Sequence, residues 1–219
     1  MTDFRLNVGL LVQGERGALN WLARAVPGAV DYGHPAWLEL GGAGLMGAGF
    51  LACHWSNWML GVVLFGLFVN WVGDAALFQH TPLAPRHGYF VDHSTDLIAQ
   101  TLVVIGLGLS PYFTICSALL VLSILLLMNS YSYLRFMVIG EEPLFGGVET
   151  VSQFCLFAAL WGLFAASVGP ALTQTRIFGR EGLDVLVGSL WLVLFASFLF
   201  RVRRDLARIE EDPAPRRRA

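Results

Sequence analysis

The sequence has no lysine: all 14 of its basic residues are arginine. Charge of either sign is scarce, at 14% of 219 residues, against roughly a quarter in soluble domains. Sixteen acidic residues leave a formal net charge of −2, and the missing basic excess sets nucleic acid aside as a partner. Cysteine is limited to Cys53, Cys116 and Cys155. Their odd number and the absence of a CxxC pair speak against a disulfide framework or thiolate metal site, so buried, inert thiols are expected. No Pro/Ser linker or charge run divides the middle of the chain, and one domain is expected. The N-terminal stretch MTDFRLNVGLLVQGERG lacks the basic start, apolar run and small-residue cleavage site of a secretory signal, and is expected to stay on the mature protein.

What the chain has instead is apolar sequence, 56% of it, with a mean hydropathy of +0.62. A bilayer core takes about 20 mostly apolar residues per helix. Six such stretches lie near 37–54, 58–79, 92–110, 112–135, 150–168 and 183–202. The breaks between them are CHWSN (53–57), HTPLAPRHG (80–88), the Pro111 turn, GEEPLFGG (140–147) and GPALTQTRIFGREG (169–182). The expected fold is an all-α integral membrane protein with six transmembrane helices.

Ahead of the first span, Leu19, Leu22 and Val26 repeat at helical spacing, off which lie Glu15, Arg16 and Arg24, with Pro27-Gly28 as a stop. The pattern predicts an amphipathic helix, lying in the membrane interface or packed on protein. The expected organisation is an interfacial segment over 1–30, a six-helix domain over 31–202 and a charged tail over 203–219. An even number of crossings returns both termini to one side. Arg5, Arg16, Arg24, Arg86, Arg135, Arg201, Arg203, Arg204, Arg208 and Arg216 to Arg218 fall on that side, and only Arg176 and Arg180 fall opposite. Basic residues near span ends stay cytoplasmic, which predicts a multi-pass protein of the inner (cytoplasmic) membrane with both termini in the cytoplasm.

Among the scarce intramembrane ionisable residues, Asp74 ends the second stretch and Asp92 and Asp96 begin the third. Asp92 and Asp96 are four residues apart and share a helix face, about 6 Å apart along the axis. A short loop lets Asp74 face them. Carboxylates gathered at low dielectric repel one another unless they protonate or share a cation. Oxygen ligands favour Mg²⁺, Mn²⁺ or Ca²⁺ over zinc. The alternative is that these are cytoplasmic helix-end residues, with Asp92 and Asp96 complementing a helix dipole.

WVGDAALFQ (71–79), eight further residues, and GYFVDHSTD (88–96) keep the spacing of D-x-x-D-G-x-x-A-R, eight residues, G-x-x-x-D-x-x-x-D. That signature is the one of the CDP-alcohol phosphotransferases, which move a substituted phosphate from a CDP-linked donor to an alcohol and release CMP. The chain resembles this family over roughly residues 15–200. ALNWLARAVPGAVDYGHPAWLELGG (18–42) is similar to its interfacial helix and entry to the first span. GGVET (146–150) and the Asp92-His93-x-x-Asp96 form are similar to its ethanolamine- and cholinephosphotransferase branch.

The resemblance implies a six-span scaffold, a lipid substrate, a nucleotide-linked donor and a homodimer. It implies Mg²⁺ or Mn²⁺ held by Asp74, Asp92 and Asp96, with Asp96 or His93 taking the acceptor's proton. Trp71 stands for the first Asp of the signature, Ala75 for the Gly, Phe78 for the Ala and Gln79 for the Arg, so the positions that admit the cytidine diphosphate are altered. Asn70, at i−4 from Asp74, is the candidate to supply a neutral oxygen. Arg86 is the candidate to restore a phosphate contact, Gly88 keeps the motif, and Glu149 either positions substrate or caps the fifth span.

Other candidates divide in the same way. His93 is a base or a hydrogen-bonding surface residue; His80 and His87 meet phosphate or are solvated loop residues. His34 and His54 lack ligand spacing. Trp37, Trp55, Trp58 and Tyr112 read as an interfacial aromatic belt, and GGAG and GLMGAG (41–48) as close helix packing. A non-CDP donor, and a catalytically silent lipid- or partner-binding relative, stay open beside the transferase. A small ion-coupled transporter is less attractive, because no pair of broken-helix halves is visible.

Overall fold

The computed structural model describes residues 33–80, 85–139, 148–169, 175–177 and 180–211. Among them the chain is helical throughout, apart from a two-residue antiparallel ladder. The long helices are α1 (Gly33–Ala52), α2 (Leu60–His80), α3 (Pro85–Gly108), α4 (Ile115–Ile139), α5 (Val148–Val168) and α6 (Gly182–Glu211). One helix occupies each of the six apolar stretches. The interfacial helix expected within 1–30 lies outside the described residues.

Local chemistry explains the ends. Ser56 caps the short 3-10 turn Asn57–Met59 ahead of α2 by accepting the Trp58 N–H. Pro85 opens α3, where a missing N–H is harmless. Thr114 caps α4 by accepting the Ser117 N–H at 3.1 Å. At the end of α5, Gly169 takes φ +77° while its N–H reaches the Ala165 carbonyl, a left-handed stop suited to glycine. Between α5 and α6, Arg176 pairs with Glu181 and Ile177 with Arg180.

Among the described residues, three helices are long and apolar enough to cross a membrane, over Asn57–Asp74, Ile115–Ser132 and Gly182–Ile209; Ser94–Gly108 and Phe154–Val168 are shorter apolar helices. The exterior is as apolar as the interior. Phe65, Leu119, Leu192 and Phe200 all face outward, as expected where lipid rather than water is the solvent.

The helices alternate in direction. At one end of the bundle the His54 ring N–H donates to the Leu109 carbonyl (2.7 Å), the Tyr112 hydroxyl to Asn57 Oδ1 (2.7 Å) and the Trp161 indole to the Tyr112 carbonyl (3.0 Å). Thr114 and Ser117 both donate to Asp184 Oδ1 there. These bonds gather the ends of α1, α3 and α5 with the starts of α2, α4 and α6. Tyr112 is therefore a buried packing residue and not part of an aromatic belt, whereas Trp37, Trp55 and Trp58 are 75–90% exposed. Cys53 and Cys155 are buried as expected, but Cys116 is exposed; all three are free thiols.

Small residues set the helix spacing, as the 41–48 stretch predicts. A Cβ on Gly42 would stand 2.2 Å from the Asn70 nitrogen, one on Gly66 2.7 Å from the Gly42 oxygen, and one on Gly106 2.3 Å from the Gly47 Cα. These contacts bring α1 against both α2 and α3 at backbone distance. Around them lies the core: Ala43, Met46 and Phe50 of α1, Leu60, Val63 and Leu67 of α2, Ala99 and Val103 of α3, and Cys155, Ala158 and Ala159 of α5. α5 packs on α2 and α3, and α4 bridges α3 to α6.

Candidate functional site

Most of the buried polar residues collect at the bundle end opposite Tyr112, with Ser110 and Ser117 buried at the Tyr112 end. Asp74 of α2 is 3% exposed and Asp96 of α3 is 8% exposed, with Asn70 and Thr95 also buried. Asp74 keeps the same stripe as Leu60, Val63 and Leu67, spaced by threes and fours, so it faces inward with the core. Cys155, fully buried on α5, lies within electrostatic range of Asp96, Glu39 and Asp74 together. Glu39, Asp74 and Asp96 are thus buried on three helices that pack on one another.

Glu39 is the residue that sequence reading passed over. It is 1% exposed, and its backbone is held against α2: the Asn70 amide donates to its carbonyl at 3.1 Å. Gly73 lies so close that a Cβ there would stand 2.4 Å from the Glu39 nitrogen. The available signal was a single carboxylate inside the glycine-rich first stretch.

Asn70 therefore does two things at once. Its amide nitrogen ties α2 to α1, and that leaves the carbonyl oxygen as the half able to meet a cation. Among the described residues, no three His, Cys, Asp or Glu side chains are close enough to hold a metal ion. The side chains of Ala75, Phe78, Gln79, Arg86, Gly88, Asp92, His93 and Glu149 lie outside the described residues, as does His34. Asp92 and Asp96 belong to one unbroken helix, which preserves their four-residue spacing. The oxygen donors that are described, Asp74, Asp96 and the Asn70 carbonyl, suit a hard cation.

Two buried donors here have no acceptor among the described residues: the Trp71 indole nitrogen and the Gln100 amide nitrogen. Gln100, a turn beyond Asp96 and fully buried, accepts from Asn129 of α4 through its oxygen at 2.8 Å.

A second polar cluster ties α4 to α6. Asp205 Oδ2 accepts from the Arg135 Nε–H at 2.8 Å and from the Tyr131 hydroxyl, and both charged side chains are almost fully buried. The charged tail expected from residue 203 starts instead as a continuation of α6, and Asp205 within it is buried rather than solvated. An apolar cavity of about 510 Å³, lined by Val104, Leu107, Phe113, Phe154, Trp161 and Leu190 among others, lies between α3, α5 and α6 and contains none of the carboxylates.

Compared with protein-family models, curated proteins and solved structures, the chain finds no significant match.

Proposed function

We propose that the chain is a membrane-embedded, divalent-metal-dependent phosphotransferase of lipid biosynthesis. In this reading it moves a substituted phosphate from a CDP-linked donor to a hydroxyl acceptor, one of the two being a lipid. The observation that carries it is the burial of Asp74 and Asp96 on separate helices of a largely apolar bundle. Carboxylates in such a place are costly unless something positive offsets them. Their positions match the acidic spacing of the CDP-alcohol phosphotransferases, which the chain resembles.

Asp74, Asp96, Asp92 and the Asn70 carbonyl are the residues to hold Mg²⁺ or Mn²⁺. Such an ion, when bound, neutralises a diphosphate and the charge that develops on transfer. Asp96 and His93 are the groups to accept the hydroxyl proton. Arg86, Gly88 and Glu149, with Ala75, Phe78 and Gln79, are the substrate contacts. The alternating helices and the arginine distribution support six crossings of the inner membrane, with an interfacial helix ahead of them and both termini cytoplasmic. A homodimer rests on the resemblance alone.

The test is CMP release by purified protein given a CDP-linked alcohol and a diacylglycerol-type acceptor, with Mg²⁺ or with chelator. Metal-dependent release is expected, and its loss in Asp96→Asn. A wild-type protein that releases no CMP under either condition rules out the CDP-linked form. A second reading keeps the scaffold with another donor; Ala75, Phe78 and Gln79, where the signature has Gly, Ala and Arg, favour it. Transfer from another nucleotide- or prenyl-linked phosphate, absent with CDP donors, would establish it. A silent lipid- or partner-binding relative is recognised by cellular function that survives Asp92→Ala and Asp96→Ala.

A further inference from the structure

The indole nitrogen of Trp71 is shielded from solvent and meets no hydrogen-bond acceptor among the described residues. An indole N–H can only donate, and buried ones nearly always find a partner. Two other tryptophans of this chain show the usual outcome: Trp161 donates to the Tyr112 carbonyl at 3.0 Å and Trp191 to Ser123 Oγ at 2.9 Å. Stranding a buried donor is destabilising, so such a group needs a reason.

Its position supplies one. Trp71 packs against the core on the inward stripe Leu60, Val63, Leu67, Trp71 and Asp74. It lies three residues before Asp74, about 4.5 Å deeper along the helix axis. The residues that hold α2 to α1 are Asn70 and Gly73, so the indole N–H takes no part in that contact. It is a donor one turn below a buried carboxylate, its nitrogen shielded although the ring is only partly buried. A preorganised donor in such a setting is most effective against negative oxygen.

We propose that the Trp71 N–H is a substrate-binding donor that takes an oxygen of the phosphate or diphosphate group entering beside Asp74. The assignment rests on the transferase reading and adds a residue to it. The acceptor arrives with the ligand, displacing what shields the nitrogen. The ligand-free protein carries the stranded donor.

The experiment uses full-length protein in detergent with ¹⁵N-labelled indoles. The Trp71 resonance is assigned by its absence in Trp71→Phe, or in Trp71→Tyr if the first variant does not fold. Inorganic pyrophosphate is titrated in the presence of Mg²⁺. The Trp71 N–H resonance is expected to move downfield while those of Trp161 and Trp191 stay. Trp71→Phe should lose some packing and show about a tenfold higher KM for the donor with kcat little changed. If pyrophosphate raises the wild-type unfolding midpoint but leaves the Trp71 resonance in place, this assignment falls and the transferase reading stands. If it changes neither, both fall. A Trp71→Phe protein whose KM for the donor equals that of wild type overturns the assignment.

Discussion

The Asn70 amide donates to the Glu39 backbone carbonyl across the α1–α2 interface, at 3.1 Å. The bond joins two helices exactly where their buried acids lie, so α1 fixes the depth and rotation of Asp74. Gly73, against the Glu39 backbone, completes the joint.

Gly73→Ala should loosen that joint. Its Cβ would stand 2.4 Å from backbone nitrogen, which cannot swing aside as a side chain can. A loss of about 1–3 kcal/mol is expected, read as a lowered unfolding midpoint in detergent. Gly41→Ala, where a Cβ meets nothing within 4 Å, is the neutral control.

Asp74→Asn and Asp96→Asn keep shape while removing charge. Each should lower metal-dependent transfer on the order of 100-fold or more and leave a protein that still melts cooperatively. Assay and thermal melt on the same preparation check both halves.

Breaking the α4–α6 ion pair should be asymmetric. Asp205→Leu or Arg135→Met alone strips a buried charge of its nearest counter-charge and should cost about 3–5 kcal/mol. The double replacement should recover most of that loss. A double-mutant cycle by denaturant unfolding measures the difference.

Thiol chemistry should follow burial. A small maleimide that partitions into detergent is expected to modify Cys116 in the folded protein and to reach Cys53 and Cys155 only after unfolding. Mass spectrometry of the labelled chain reads the order directly. In intact cells or spheroplasts, cysteines placed at Arg176 and at Arg203 should label from opposite faces if the helices cross as proposed.

The helices were largely legible because apolar runs and their breaks are written in composition. Hydropathy located all six, and Pro85, Pro111 and Gly169 sit at or beside their limits. Close packing of α1 was legible from its glycines. Less legible was everything that depends on which helices are neighbours. Tyr112 has the composition of an interfacial aromatic, and only the meeting of Asn57 and Trp161 around it makes it buried. Asp205 has the context of a solvated tail, and only its placement beside Arg135 and Tyr131 brings it inside. Of the candidate site, spacing identified Asp74 and Asp96. Glu39 escaped because the 18–42 stretch that contains it sets no spacing to another acid, and its neighbour on α2 is far away in sequence.

The backbone contacts Gly42 to Gly66 and Gly47 to Gly106 bolt the first three helices into one stiff plate. The fourth helix meets that plate through the third, and the sixth is clasped to the fourth by polar side chains. Breathing of the bundle therefore falls to this second pair, tilting as a unit beside a stationary wall that carries the acids.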